Sequence, residues 1–151
     1  MSKAVTTIEL NDIARWLYES CFYESFYGKV FWGSKMKGIA GNCDSNGVIM
    51  INKNYYLQYG LEDTLDILKH ELAHLHCFKK KGTHSDDDSF FLEDLKKIGG
   101  ILKAKRIPQQ FYIYECQECE RKWYFEKKLD KSMFCKNCLQ EIKFKEIREL
   151  Y

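Results

Sequence analysis

The sequence predicts an α+β protein in which a small helix-rich domain is followed by a strand-rich module held by cysteines. Three observations predict this class. Leucines recur at helical spacing in residues 61–78. In residues 37–52, short apolar runs lie on both sides of turn residues. Near the C-terminus, two Cys-x-x-Cys pairs lie among aromatic residues. We place the domain boundary between residues 1–106 and residues 107–151.

The composition is that of a folded chain without a membrane anchor. Of the 151 residues, 45% are hydrophobic and 30% are charged, which is outside the range of disordered sequences. Every apolar stretch is far shorter than the ~18 residues that span a bilayer, and no apolar export segment is visible. Without an export signal, the seven cysteines favour reduced, metal-binding thiolates over disulfides. We therefore expect a cytoplasmic protein with no membrane partner, and no pattern indicates an oligomeric state.

The first third of the chain is expected to contain one helix and one hairpin. Thr6-x-x-Glu9 is a capping box followed by apolar residues at helical spacing, so a helix is expected from about residue 7 to 22. Residues 22–32 are interpreted as an aromatic-rich connection. Two short strands around an Asn-Gly turn predict a β-hairpin over residues 37–52.

The clearest predicted helix covers residues 61–78, and a shorter one is expected ahead of it at residues 55–59. Two histidines project roughly opposite its apolar stripe, so both sides of the helix are expected to be covered. The next helix is expected to begin at Ser85-x-x-Asp88 and to weaken or end at two consecutive glycines. The stripe consists of Leu61, Leu65, Leu68, Leu72 and Leu75.

The sequence His70-Glu71-x-x-His74 lies in this helix and matches the HExxH pattern. Residues four apart lie on one helical face, so both imidazoles can bind one zinc ion. Glu71, next to the first ligand, is placed to act as general base toward a water on the metal. The alternative interpretation of the same five residues is a His-Glu-His cluster on the surface of an amphipathic helix. Because the motif lies opposite the leucine stripe, with apolar neighbours on the histidine side, the sequence predicts a catalytic zinc.

A catalytic zinc needs a third protein ligand. His76 lies about 200° around the helix from His74 and therefore points away from the metal. His84 is the preferred candidate, because its turn can fold back over the helix. The aspartates at positions 86–88 are interpreted as solvated charges in the first turn of the next helix. The residues alone leave open whether His84 or a nearby Asp is the ligand.

The four C-terminal cysteines predict a second, structural zinc site. The two pairs are separated by 15 residues, the spacing of a zinc ribbon. Four thiolates complete a closed tetrahedron with no position for chemistry. A pair of redox motifs is the alternative, but it lacks a thioredoxin-like βαβ context. The expected ligands are Cys116, Cys119, Cys135 and Cys138.

The same module is basic and aromatic. Residues 103–148 carry 12 Lys and Arg against seven Asp and Glu, interleaved with Trp123 and other rings. Such a surface can bind nucleic acid, with cations on phosphates and a ring stacked on a base. The interspersed acids, and four thiolates on one Zn²⁺, reduce the positive charge, so an ordinary solvated surface is the alternative interpretation.

The combination of motifs is similar to one known family. Its shared features are an Ile-x-Ile-Asn strand at residues 49–52, HExxH, a third His followed by Phe90, and a Cys-x-x-Cys ribbon. This pattern resembles the SprT-like metallopeptidase family, which includes the eukaryotic DNA-repair protease Spartan. The resemblance implies a small zincin-like metallopeptidase domain with a C-terminal zinc ribbon and Glu71 as the catalytic residue. It implies the zinc ligands His70, His74 and His84.

Two functions are compatible with these residues. The first is a zinc-dependent endopeptidase with one catalytic and one structural zinc, acting on a protein or peptide and, by the resemblance, on DNA-associated proteins. The second is a nucleic-acid-binding or adaptor protein that retains a weakly active zinc site. Both keep the same ligands, so the motifs do not separate them.

Overall fold

The computed structural model describes residues 4–82, 85–107 and 110–149. The chain divides into two compact units, Met1–Ile107 and Pro108–Tyr151. Within the described residues, the first unit contains three helices and a three-stranded sheet, and the second contains a three-stranded sheet beside four cysteines. This is the α+β class that the sequence predicts.

Helix α1 covers Thr7–Phe22 and begins at the predicted capping box. The Thr6 hydroxyl accepts from the Glu9 N–H at 3.2 Å, and the Glu9 carboxylate accepts from the Thr6 N–H at 2.8 Å. These two bonds satisfy backbone donors that the helix itself leaves unpaired. The predicted helix and its start are therefore confirmed. The buried residues of α1 are Leu10, Ala14, Leu17, Tyr18 and Phe22.

The sheet of the first unit contains the predicted hairpin and one strand that the sequence analysis missed. Strand β1 is Lys29–Gly33, β2 is Gly41–Cys43 and β3 is Val48–Asn52, in the order β1-β3-β2. β2 and β3 pair antiparallel, as predicted. β1 pairs parallel with β3, so the interpretation of residues 22–32 as a connection was wrong. Its parallel partner lies far along the chain and leaves no local turn signal.

Helix α2 covers Lys53–Lys81 and is broken at Gly60. Gly60 has φ 89° and ψ −179°, a conformation that is essentially restricted to glycine, so the predicted short helix does stop there. Along the stripe of the longer segment burial increases from Leu61, which is 39% exposed, through the half-buried Leu65 to the three leucines that follow. None of the helices in the described residues has the length and apolar character needed to cross a bilayer. The fully buried leucines of the stripe are Leu68, Leu72 and Leu75.

Helix α3 covers Ser89–Ile98 and begins after the N-cap Asp88, rather than at Ser85. The Asp88 carboxylate accepts from the backbone N–H groups of Phe90 and Phe91 at 2.9 and 3.3 Å. The helix ends at Gly99, as the glycine pair predicts. Its buried apolar residues, which join the core beneath α2, are Phe91, Leu95 and Ile98.

The edge of the first sheet lies close to α2. A Cβ atom on Gly41 would lie 2.9 Å from Ile67 Cγ2 and 3.2 Å from Glu71 Cγ, so only glycine allows β2 to approach the helix this closely. At the opposite edge, Asn11 of α1 bonds both backbone groups of Val30 in β1, at 2.7 and 2.8 Å. α1 therefore bonds to the edge strand β1, whereas the other edge strand, β2, lies beside the HExxH segment.

The second unit is an antiparallel sheet with the order β5-β4-β6. Its strands are β4 at Gln110–Glu115, β5 at Lys122–Phe125 and β6 at Lys143–Glu149. β4 and β5 lie on either side of the first cysteine pair. The buried cluster of this unit is small and consists of Tyr114, Cys116, Cys135 and Ile142.

Asn52 connects the sheet to α2. Its side chain is fully buried, and its carboxamide donates to the carbonyl oxygens of Met36 and Ile39 at 2.8 and 2.9 Å. Its Oδ1 accepts from the backbone N–H of Asn54 at 2.9 Å and caps α2. One side chain therefore satisfies three backbone groups at the end of β3.

We predict that Asn52→Ala lowers the free energy of unfolding by about 2–4 kcal/mol, because it removes a helix cap and two buried donors. Asn52→Asp keeps the cap acceptor but places carboxylate oxygen against two carbonyl oxygens, so it is expected to destabilise the protein as well. Denaturant unfolding measures both variants. Asn42→Ala, at an exposed position on β2, is the control, and an equal effect of Asn42→Ala and Asn52→Ala would contradict the assignment.

Candidate metal centres

The two motif histidines face each other on α2. Their Nε2 atoms lie 3.0 Å apart. His70 Nδ1 lies 2.7 Å from the carbonyl oxygen of Ile101. A carbonyl oxygen only accepts, so His70 carries its proton on Nδ1 and directs the lone pair of Nε2 toward His74. An outer hydrogen bond of this kind fixes the tautomer of a metal-binding histidine. No sequence signal pointed to Ile101, which lies just after the glycine pair.

Phe91 covers both rings. It is fully buried and stacks on His74 with a centroid distance of 4.0 Å and an angle of 6°, while its edge contacts His70 at 5.2 Å. Phe90, the phenylalanine of the sequence pattern, stacks on His76 with a centroid distance of 5.9 Å. The phenylalanine at the histidine pair is the next residue, Phe91.

Asp86 lies beside the same two histidines. Its Oδ1 is 2.8 Å from His74 Nε2 and 3.7 Å from His70 Nε2. Asp86 occupies a turn ahead of α3 and not its first turn, which corrects that part of the interpretation, whereas its side chain is 54% exposed, as expected for a solvated charge. His84, the preferred third ligand, lies outside the described residues, and its role stays a prediction.

Glu71 is buried between the sheet edge and the histidines. Burial, and then the charge of Asp86, raise the pKa of Glu71 to about 8 in the metal-free chain. A cation at the two histidines would oppose that shift. Glu71 lines a cleft of about 280 Å³ together with Gly41, His70 and Asp86. The other residues of the cleft wall are Ala40, Ile67, Ile101, Leu102, Lys103 and Ala104.

His76 points to the opposite side of α2, as its position in the helix predicts. Its Nδ1 lies 2.6 Å from Asp94 Oδ2, and its Nε2 lies 3.3 Å from Glu24 Oε2. The ring stacks on Phe22 with a centroid distance of 4.1 Å. Both nitrogens are therefore engaged by carboxylates away from the histidine pair.

The four cysteines of the second unit form the other candidate metal centre. Their Sγ atoms lie within 4.8 Å of one another, and those of Cys119 and Cys135 are 3.6 Å apart. Tetrahedral zinc with bonds of about 2.3 Å places sulfurs roughly 3.8 Å apart, so the cluster fits zinc. Backbone N–H groups of Cys138 and then Asn137 lower the pKa of Cys135 to about 7, which favours the thiolate that a metal binds.

The two cysteine pairs are presented by matching turns. The N–H of Glu120 donates to the Cys116 carbonyl at 2.9 Å, and the N–H of Leu139 donates to the Cys135 carbonyl at 2.8 Å. Glu120 and Leu139 have φ values of 61° and 58°. The same backbone turn therefore follows each pair, and the two turns present their sulfurs to a common centre.

The basic surface of this unit is partly neutralised. Lys145 pairs with Glu115 at 3.0 Å, and Lys143 pairs with Glu141 at 3.1 Å. Trp123, the ring singled out for base stacking, is half-buried and packs against the cysteine cluster. The rings that are exposed on the strands are Tyr124 and Phe144.

Fold and sites together define a small α+β protein with two candidate metal centres, one of histidine and carboxylate and one of cysteine. The SprT-like family matches residues 10–112, more than half of the chain. The chain belongs to the SprT-like family.

Individual relatives support this assignment. Proteins called Protein SprT-like share 26% identity with the chain in Streptococcus gordonii, covering 87% of this chain and 92% of that protein. The Protein SprT-like of Oceanobacillus iheyensis is 30% identical to the chain, and the match covers 78% of this chain and 81% of that protein. Among solved structures, the metallopeptidase zymogen of Pyrococcus abyssi abylysin is 25% identical, with a TM-score of 0.43, covering 61% of this chain and 78% of that one. A TM-score of this size does not establish a common fold.

We predict that Phe91→Leu lowers the zinc affinity of the histidine pair by about tenfold, because the ring that fixes both imidazoles is lost. Phe90→Leu, one residue away, is the matched control and should change that affinity little. Competition with a chromophoric chelator measures both. The assignment is wrong if Phe90→Leu has the larger effect.

Proposed function

We propose that the chain is a zinc-dependent endopeptidase of the SprT-like type. The observation that carries the proposal is the pair of Nε2 atoms 3.0 Å apart, of which the ring of His70 lines one cleft together with the buried Glu71. Tetrahedral zinc with bonds of about 2.0–2.1 Å places two nitrogens roughly 3.4 Å apart, close to the separation of His70 and His74. The donor set therefore fits a zinc site of the HExxH type.

Each residue has a distinct role in peptide hydrolysis. When bound, zinc supplies Lewis-acid chemistry, which polarises a carbonyl and makes water more acidic. Glu71 takes the proton of the attacking water and later gives it to the leaving amine nitrogen. Glu71 is buried and lines the cleft beside His70, so its carboxylate is held next to the histidine site. His70 is held in one tautomer by the Ile101 carbonyl.

The position of β2 supports an extended peptide as the substrate. β2 is at the edge of its sheet, and Gly41 in this strand lines the same cleft as Glu71. An extended peptide can add to such an edge through main-chain hydrogen bonds. This pairing would place one of its carbonyl groups near Glu71, with a neighbouring side chain against the apolar wall formed by Ile67 and Ile101.

Nucleic-acid binding by the second unit, and DNA-associated proteins as targets, stay predictions. The ion pairs of Lys143 and Lys145 reduce the charge available for phosphates, whereas Tyr124 and Phe144 offer exposed rings. An adaptor protein with a weakly active zinc site remains the alternative. Hydrolysis of unfolded casein, with and without DNA, separates these functions.

We predict that Glu71→Gln keeps the zinc of the histidine site but abolishes hydrolysis of unfolded casein, because an amide cannot accept the proton of water. Zinc content and hydrolysis are measured on the same preparation. Glu62→Gln, at an exposed position on α2, is the control and should retain activity. Activity retained by Glu71→Gln would remove this residue from the mechanism.

We also predict two zinc ions per chain, of which a chelator removes one quickly and one slowly. A three-ligand site open to solvent exchanges faster than a closed site of four cysteines. Elemental analysis before and after chelation measures both. Cys116→Ser should lose the slowly removed zinc and the fold of the second unit, while the first unit keeps its unfolding transition. One zinc or none in fresh wild-type protein is the contrary result.

A further inference from the structure

Residues 101–106, which we call the strap, run from α3 toward the end of the first unit. Residues 101–104 line the cleft together with Ala40, Gly41 and part of α2. The strap lies wholly within the described range 85–107 and contains no helix or strand. Regular backbone hydrogen bonds therefore do not fix its position, and contacts with other parts of the chain have to do so.

Two tyrosines of α2 hold the end of the strap. The Lys105 N–H donates to the hydroxyl of Tyr55 at 3.2 Å, and the hydroxyl of Tyr59 donates to the Arg106 carbonyl. Tyr55 and Tyr59 are four residues apart, so both lie on one face of the helix, and their ring centroids are 4.8 Å apart. Lys105 Nζ also lies 2.8 Å from Asp63 Oδ2. The end of the strap is thus bonded to α2 through both main chain and side chain.

The start of the strap is bonded as well, whereas its middle is not. The Ile101 carbonyl is bonded to His70 Nδ1. Leu102, Lys103 and Ala104 are exposed, and no hydrogen bond or ion pair among the described residues involves any of them. Their backbone N–H and C=O groups are therefore available to a ligand in the cleft. Because these three residues have no anchor of their own, their position depends on the anchors on either side.

We propose that the strap is a substrate-binding wall of the cleft and that Tyr55 and Tyr59 are its positioning residues, an inference that rests on the proposed endopeptidase function. A peptide that adds to the edge of β2 leaves the other side of its main chain unpaired. The unbonded groups of residues 102–104 lie in the same cleft and can bond that side. The substrate class is thus an extended stretch of unfolded polypeptide, recognised through its main chain.

The test measures binding of unfolded casein to the full-length, zinc-loaded protein by fluorescence anisotropy, in a Glu71→Gln background that does not consume the casein. Tyr59→Phe keeps the ring but removes the hydroxyl that holds the strap, and should raise the Kd for casein about fivefold, because the wall is no longer preorganised. Tyr55→Phe should act in the same direction. Tyr56→Phe is the matched control, since its hydroxyl accepts from the Val5 N–H at 3.4 Å instead of bonding the strap.

Kinetics with Glu71 intact separate positioning of the wall from a general loss of structure. Tyr59→Phe should raise KM for casein about fivefold and leave kcat within about twofold, because the strap contributes binding rather than chemistry. A merely structural role would instead lower zinc content or the stability to denaturant, and it would not separate KM from kcat. If Tyr55→Phe unfolds because its ring is fully buried, the half-buried Tyr59 decides the test.

The outcomes distinguish this inference from the proposed function. An unchanged Kd and KM in Tyr59→Phe overturns the inference, and so does a lower kcat with loss of zinc from the histidine site, which would mean that the strap acts only through His70. Casein that is bound but not hydrolysed by wild-type protein would sink the proposed function alone, and the Kd comparison would still decide the role of the strap. If wild-type protein neither binds nor hydrolyses casein, both fail.

Discussion

The ring of His70 is held by a hydrogen bond from its Nδ1 to the carbonyl oxygen of Ile101, and the arrangement of the histidine site depends on this bond. The bond decides which nitrogen faces His74. For this bond to form, Ile101 must lie against α2 only a few residues after the end of α3, and Gly99 allows this because it ends that helix. Within α3 itself, Phe91 packs on the imidazoles of His70 and His74. Positions of the ligands thus follow from how α3 packs on α2.

The features that the sequence predicted are those with a local physical cause. Helical spacing, the capping box at Thr6 and the turn of the hairpin each involve residues within a few positions of one another. The Cys-x-x-Cys pairs are local as well. What could not be predicted involves partners distant in sequence. β1 pairs directly with β3, although β2 lies between them in the sequence. The carbonyl oxygen of Ile101 reaches His70, which lies 31 residues earlier in the chain.

The two units differ in the size of their apolar cores. The first has a continuous core formed by three helices and a sheet. In the second, the buried cluster has four residues, two of which are cysteines, and Phe111 and Ile113 of β4 are buried as well. Small modules with few buried residues are normally stabilised by a structural metal or by disulfides. The four clustered cysteines of the second unit are suited to that role.

His76 lies two residues beyond His74, so the helix itself turns it to the face of α2 opposite the histidine pair. There its Nδ1 lies 2.6 Å from Asp94 Oδ2 of α3, and its ring stacks on Phe22 of α1. One seven-residue stretch of helix therefore supplies two adjacent nitrogen donors on one face and a packing contact to two other helices on the other.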